Sequence, residues 1–362
     1  MPLITQAIAR WNLTSTAAGE ARRRLAVRHG QSGQIDWGRL SVAHIDTGVR
    51  NHPIFGGFGG NSWVMAGRGV NYVEPGHLPV EPRHRPGRTD QSSLPGRLVR
   101  FITDVSAKDS DGHGTRTLSV LCGDWRAPGA LTWVGVAPRL PVVPYRISDT
   151  ILLAGSEVAR HLAEAVRHGV ASGCQVINIS LGWPFRLSDD VERAVDWAYE
   201  RGVIIVAAAG QIIDRVSYPG KLARTIAVGG HRPDGRVWAT YSPTQSRFID
   251  IWAPSSRIVR AKAERVQGAW GLDFLGGTGT SYAAVHVSAA AAYWLRYHGA
   301  GLIGAAYPEP WQRVEAFRAL LKANGAPLLA PRSRPDLRGH RRLNIDKLMS
   351  AALPHRSDLQ RA

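Results

Sequence analysis

The feature that most constrains this chain is a set of five short, continuously apolar segments, each closed by glycine or a polar turn. They are residues 40–45, 142–147, 175–180, 202–208 and 225–229. A half-exposed strand alternates apolar with polar residues, whereas one that is apolar throughout must be covered on both faces, as in a parallel sheet with crossover helices. Two amphipathic helical patterns lie between the segments. Residues 157–168 place Val158, Leu162, Ala165 and Val166 on one stripe, with Gly169 expected to end the helix. Ser188 is placed to cap a second helix, whose first turn carries Asp189 and Asp190 at the positive end of the helix dipole. Val191, Ala194, Val195 and Ala198 form its apolar stripe, and Gly202 stops it. The expected fold class is α/β: a doubly wound, mostly parallel central sheet flanked by helices.

Composition narrows the class further. With 362 residues, 44% apolar and 20% charged, the chain has the balance of a globular protein and not of a disordered one. Cys122 and Cys174 are too few for a disulfide scaffold or a four-cysteine zinc site, and read as small core residues. No apolar run reaches the roughly 18 residues a membrane span needs, and the first residues lack the pattern of a secretory signal. The expected location is the cytoplasm, with both thiols reduced and no membrane partner. The formal charge is +17, and arginine dominates the basic residues. Most of the excess lies in residues 1–100 and 311–362. No zinc-finger spacing or aromatic-interleaved basic repeat accompanies it, so it reads as a solvated arginine surface, and nucleic acid is not an expected partner. Residues 74–100 and 326–342, rich in Pro, Arg and Gly, read as exposed loops.

Three glycine-flanked polar residues carry chemistry. Asp46 ends the first apolar segment in Ile45-Asp46-Thr47-Gly48. His113 lies in Asp111-Gly112-His113-Gly114-Thr115. Ser281 lies in Gly279-Thr280-Ser281-Tyr282-Ala283-Ala284, where an Ala-rich helix begins. Taken singly, each has a structural reading: a turn cap, a core histidine, a helix-capping hydroxyl. Taken together, they supply a weak nucleophile, a base active near neutral pH, and a carboxylate to fix the base's tautomer. Their glycines are expected to let a substrate backbone approach. Catalytic groups of open α/β sheets gather at the carboxyl ends of the strands.

These motifs, in the order Asp, His, Ser, resemble those of the subtilisin-like serine peptidases, or subtilases. The resemblance extends to Val176-Ile177-Asn178-Ile179-Ser180-Leu181-Gly182, to residues 203–210, to Ser217-Tyr218-Pro219 and to Gly135-Val136-Ala137-Pro138. It implies a single catalytic domain over residues 36–353, with 1–35 as an N-terminal extension, an inserted basic loop at about 74–100 and a tail at 354–362. It implies a serine endopeptidase without cofactor, acting on protein or peptide substrates. Asp46, His113 and Ser281 would form the triad, and the Ser281 N–H, Gln211 and Thr280 the oxyanion hole. Ser180, Leu181, Gly182, Ala208, Ala209 and Gly210 would bind the substrate, residues 180–182 by pairing with it as an added strand.

The chain departs from the family at several places. Gln211 stands where the family has the oxyanion asparagine, Arg116 where it usually has a second histidine, Val285 where it has proline, and Trp183 where a second glycine is common. Between Cys122 and Trp133, where many members bind calcium, Asp124 is the only carboxylate, so no strong site is expected there and no metal is assigned. Only 45 residues precede Asp46, so neither a signal nor an inhibitory prodomain is expected. Restraint would then come from restricted specificity, a regulatory partner protein or an imperfect oxyanion hole. The competing reading is a pseudoprotease, a peptide-binding module that turns over poorly because of Gln211. His44 and His286 read as packing residues.

Overall fold

The computed structural model describes residues 10–31, 34–57, 62–79, 112–125, 132–211, 214–237 and 245–362. In chain order the elements are α1 (Ala18–Arg28), β1 (Val42–Asp46), β2 (Val70–Asn71), α2 (His113–Cys122), β3 (Asp124–Trp125), β4 (Trp133–Val134), β5 (Val142–Arg146), α3 (Ser156–Ala171), β6 (Val176–Ile179), α4 (Asp189–Glu200), β7 (Ile204–Ala208), β8 (Ile226–His231), β9 (Ile251–Pro254), β10 (Ile258–Ala261), β11 (Leu272–Gly277), α5 (Thr280–Ala306), α6 (Pro310–Asn324), β12 (Ala326–Pro327), β13 (Arg341–Arg342) and α7 (Ile345–Ser350). The main sheet has the order β12-β13-β9-β8-β7-β6-β1-β5-β2. All its pairings are parallel except β12 with β13.

The five apolar segments are β1, β5, β6, β7 and β8, and every residue in them is buried. Alternate residues face two cores, as the pleat requires. Val42, Val142, Val176 and Ile204 face the side covered by α2 and α5, while Ala43, Val143, Ile177 and Ile205 face α3 and α4. Ser188 caps α4 as its sequence implies, its Oγ accepting from the Val191 N–H at 3.3 Å. The chain leaves β1 for β5 on one side and then reaches β6 on the other, so β1 marks the switch point where an open sheet forms its crevice.

Several local expectations change. Gly169 does not end α3, which runs on to Ala171. A Cβ at Gly169 would lie 3.1 Å from Ala43 Cβ, so the glycine lets the helix cross β1 closely. Residues 326–342 are not only loop: β12 and β13 extend the sheet, and Leu337 is buried. The N-terminal extension packs into the domain. Ala18, Ala21 and Leu25 of α1 are buried, and Thr16 O accepts the Ile345 N–H at 2.8 Å. Most of the proposed basic loop, from residue 80 onward, lies outside the described residues, as does Asp111. Among the described residues, no helix is long and apolar enough to cross a membrane.

Candidate active site

Asp46 is the last residue of β1 and His113 the first of α2, and both are buried. The His113 Nδ1–H donates to Asp46 Oδ1 at 2.7 Å, and the Thr47 N–H donates to the same oxygen at 2.8 Å. With Nδ1 committed as a donor, Nε2 is left as the base. Burial by itself pushes the Asp46 carboxyl up, but the His113 ring, His44 and the Thr47 N–H outweigh it and hold it below the ordinary aspartate value.

The Gly112-His113-Gly114 setting has a backbone cause. Gly112 caps α2 at φ 70°, and a Cβ at Gly114 would stand 2.0 Å from Gly48 O. Gly114 thus seats the start of α2 directly on the turn after β1. Gly277 plays the same part near the serine, where a Cβ would stand 2.2 Å from Ile258 O. At these positions glycine serves backbone-on-backbone packing and not, as the sequence suggested, the approach of a substrate.

Ser281 is the second residue of α5, and β6 lies beside β1, so α2 and α5, packed on each other, bring their first turns over adjacent strand ends. The Ser281 hydroxyl donates to Ser180 O at 2.8 Å, and the Ser180 hydroxyl donates to Ser281 O at 3.1 Å. Among the described residues, no hydrogen bond joins Ser281 Oγ to His113. Hydrogen bonds of catalysis are often absent or long without substrate and form in the complex. Rotation about χ1 moves the hydroxyl from one acceptor to another. The Ser281 N–H, in the first turn of α5, has no partner within the helix.

Gln211 lies against this turn. Its Oε1 accepts the Thr280 N–H at 2.5 Å and the Thr280 hydroxyl at 3.3 Å. Both Thr280 donors are therefore spent on orienting Gln211, and Thr280 does not itself offer a donor to an oxyanion. With Oε1 held, Nε2 is the end of the amide left to donate. Gly279, at φ 152°, lies beneath the amide, where a Cβ would stand 3.2 Å from Gln211 Oε1.

Ser281 and Gln211 open into a cleft lined also by Ser180, Gly182, Ala208 and Gly210. Leu181 contributes to its wall but is otherwise packed in the core. Ala209 does not face the cleft: its side chain points to a separate cluster with Val216, Ile249 and Trp252, since it alternates with Ala208 and Gly210. The expected free edge at residues 180–182 is only partly free. Gly182 O accepts the Leu153 N–H at 3.1 Å, and the Gly182 N–H donates to Ile151 O at 3.3 Å, so the chain's own segment takes both pairing positions of Gly182. Sequence reasoning could not see this, because it joins two segments remote in the chain. It also missed Thr117 and Asn178, which surround the triad from α2 and β6. Asp124, the carboxylate of the 122–133 segment, is held by Arg139 at 2.6 Å, while residues 126–131 lie outside the described ones.

A carboxylate-oriented imidazole and a serine at a helix N-terminus, both at the switch point of a parallel sheet, define the site of a serine hydrolase. The chain belongs to the subtilase family, a family of serine peptidases: the Peptidase_S8 model, Subtilase family, matches residues 38–326. Subtilisin Savinase of Lederbergia lenta is 29% identical over 254 residues, 70% of this chain and 75% of its own. The alkaline protease of Alkalihalobacillus alcalophilus is likewise 29% identical over 254 residues, which are 53% of its length. Subtilisin E of Bacillus subtilis strain 168 is 30% identical over 196 residues, 53% of this chain and 47% of its own. The match thus spans about half the length of two of these three relatives. Among solved structures, MycP1 with its N-terminal propeptide removed shares the fold at TM-score 0.62, with 18% identity, 95% of this chain and 98% of that one covered. The self-cleaved protease domain of PatA shares it at TM-score 0.56, with 23% identity, 86% of this chain and 95% of that one covered.

Proposed function

We propose that this protein is a serine endopeptidase of restricted specificity. The observation that carries the reading is the buried 2.7 Å bond between His113 Nδ1 and Asp46 Oδ1, set beside a serine at a helix N-terminus in a subtilase fold. Ser281 Oγ attacks the scissile carbonyl and its proton passes to His113 Nε2. The Ser281 N–H and Gln211 Nε2 donate to the oxyanion. His113 then protonates the leaving amine, and a water, deprotonated by His113, releases the acyl group from Ser281. When the Ser281 hydroxyl turns toward His113, it frees Ser180 O to accept an N–H of the substrate.

Restricted specificity is supported by the edge at Gly182. A substrate strand that pairs beyond Ser180 must displace the contacts of Ile151 and Leu153, which favours substrates with enough binding energy to do so. The proposal includes a cytoplasmic location, which fractionation of the producing cell tests. The test is cleavage of a proteome-derived peptide mixture by wild type and by Ser281→Ala. The reading predicts a small set of cleavage sites that vanish in the variant, and unchanged peptides in the wild-type arm would refute it. A second reading, a peptide-binding module without turnover, is favoured by the Ser281 hydroxyl resting on Ser180 O. It predicts peptide binding that survives Ser281→Ala, with no cleavage by either protein.

A further inference from the structure

Two residues before Asp46 on β1, and on the same face of the sheet, lies His44, fully buried. Its Nε2 is 3.2 Å from Thr117 Oγ1 and 3.7 Å from Asp46 Oδ2, the carboxylate oxygen that His113 does not use. The Thr117 hydroxyl is itself 3.3 Å from Asp46 Oδ2, 3.0 Å from His113 O and 3.2 Å from Gly114 O. On the other side of the ring, His44 Nδ1 is 3.2 Å from Asn178 Nδ2. The directions of these bonds can be assigned in sequence. The Ser180 hydroxyl donates to Ser281 O, so it must accept from Asn178 Nδ2, at 2.9 Å. The Ser288 hydroxyl donates to Asn178 Oδ1 at 2.9 Å, which holds the amide the same way round. Asn178 Nδ2 therefore faces His44 as a donor, Nδ1 accepts, and the proton of the neutral ring sits on Nε2, facing Thr117, Asp46 and the Gly114 carbonyl.

We propose that His44 is a positioning residue for the triad. Its Nε2–H donates to Thr117 Oγ1, whose hydroxyl faces Asp46 Oδ2 as well as the main-chain oxygens of His113 and Gly114, so the carboxylate is held on the side His113 does not use while Oδ1 keeps its bond to His113, and the same network runs through Asn178 and Ser180 to the main chain of Ser281. A histidine that served only packing would need no particular tautomer; here its environment imposes one, directed at the catalytic carboxylate. The titratable groups facing the ring are Asp46 on its own strand and His113 from α2. From β6 it meets the neutral Asn178, whose amide oxygen accepts from Ser288 of α5. Arg146, paired with Asp46 across β5, turns its guanidinium to Glu74 at 2.8 Å and Asp149 at 2.5 Å. Burial pushes the His44 pKa down, which keeps the ring neutral beside Asp46. A hydrogen-bond donor on the Oδ2 side fixes the plane of the carboxylate, so its removal lets Asp46 turn and loosens the bond from His113 to Oδ1.

The proposal rests on the reading of Asp46, His113 and Ser281 as a working triad, and its test keeps the two apart. The rate of Ser281 modification by a fluorophosphonate is measured against pH for wild type, His44→Leu and His44→Gln, with melting temperatures alongside. An unlabelled wild type would refute the triad itself. With a labelled wild type, the proposal expects His44→Leu to slow labelling about three- to tenfold, the weight of one hydrogen bond. His44→Gln, which can place an amide N–H near the Nε2 position, should recover most of that rate. An unchanged rate in His44→Leu, or a His44→Gln no better than His44→Leu at matched melting temperature, would overturn it. Should neither variant fold, the wild type decides through ¹⁵N shifts of its histidine rings. The proposal expects His44 to be neutral at neutral pH and protonated at Nε2. An Nδ1–H tautomer, or a ring charged at neutral pH, would overturn it.

Discussion

Gln211 shows how one methylene changes a site without closing it. An oxyanion donor matters only when charge develops on the substrate oxygen, so its loss falls on kcat and not on KM. The Thr280 N–H fixes Gln211 Oε1, and the longer side chain is thereby held by a backbone donor that it meets at 2.5 Å. We expect Gln211→Ala to lower kcat about tenfold or more while KM changes by less than about twofold. Gln211→Glu should be worse than alanine, since a carboxylate of the same length replaces the donor with an acceptor of like charge to the oxyanion. Steady-state kinetics on one cleavable peptide separates these outcomes, and equal kcat in all three proteins would remove Gln211 from the oxyanion hole. The motifs made the triad legible in the sequence, because Asp46, His113 and Ser281 each sit in a local pattern. The roles of Thr280 and of Gly182 were not legible, because they depend on which remote segment lies alongside. His44 falls between these cases: strand alternation already put it on the face of Asp46, but only the partners of its ring show which way its proton points.

Two elements bring the triad together, α2 on the end of β1 and α5 on the end of β6, and each relies on backbone contact. Gly114 is the sharpest point of the first. Adding one carbon there meets Gly48 O at 2.0 Å, so Gly114→Ala must lift the first turn of α2 away from β1 and lengthen the bond from His113 to Asp46. A misplacement of about 1 Å costs on the order of a hundredfold in rate, and the loss should appear as slowed labelling of Ser281 in a protein that still melts cooperatively. Farther from the site, Asp250 ties β8, β9 and α6 together. Its Oδ2 receives Arg318 and the Ala227 N–H, both at 2.9 Å, and its Oδ1 receives Lys322 at 2.9 Å. Burial pushes this carboxyl up, but Arg318 and Lys322 outweigh it and the folded-state pKa is lowered. A lowered carboxyl pKa contributes stability that is present above the ordinary aspartate value of about 4 and is lost as pH falls through the folded value below it. Asp250→Ala leaves the Arg318 charge buried beside fewer partners and should cost about 3–5 kcal/mol at neutral pH, with the gap to wild type narrowing in melts below about pH 4. The strands that the sequence revealed are the continuous apolar ones. The interior strands β9 and β13 escaped it, because a four-residue strand ending in Pro254 and a two-residue strand of arginines are too short to carry such a signal.

At the scale of the whole molecule, the arginine excess turns out to be partly structural. Guanidinium groups close the free carbonyls of helix ends and turns: Arg28 on Tyr297 O at 2.6 Å, Arg68 on Ser172 O at 2.7 Å, Arg313 on Gly202 O at 2.7 Å and Arg318 on Ala223 O at 2.7 Å. Composition gave a charge but not these partners. The N-terminal segment, which lies ahead of the family match, is likewise part of the body. Asn12 Nδ2 meets His286 Nε2 at 3.0 Å under α5, and Arg24 reaches Asp346 of α7 at 2.7 Å. The stripe Ala18, Ala21, Leu25 was present in the sequence, but a run of arginines masked it as a charged extension. Leu25→Ala should therefore destabilise the domain by about 2–5 kcal/mol in thermal or denaturant melts, while the labelling rate of Ser281 below the transition stays near that of wild type. The account as a whole stands on Ser281 being a nucleophile activated by His113 and Asp46. The most direct measurement is mass-spectrometric mapping of a fluorophosphonate adduct on the wild type and on His113→Ala. The account predicts one adduct, on Ser281, that disappears in His113→Ala; a wild type without an adduct, or an adduct on Ser281 that persists without His113, would contradict it.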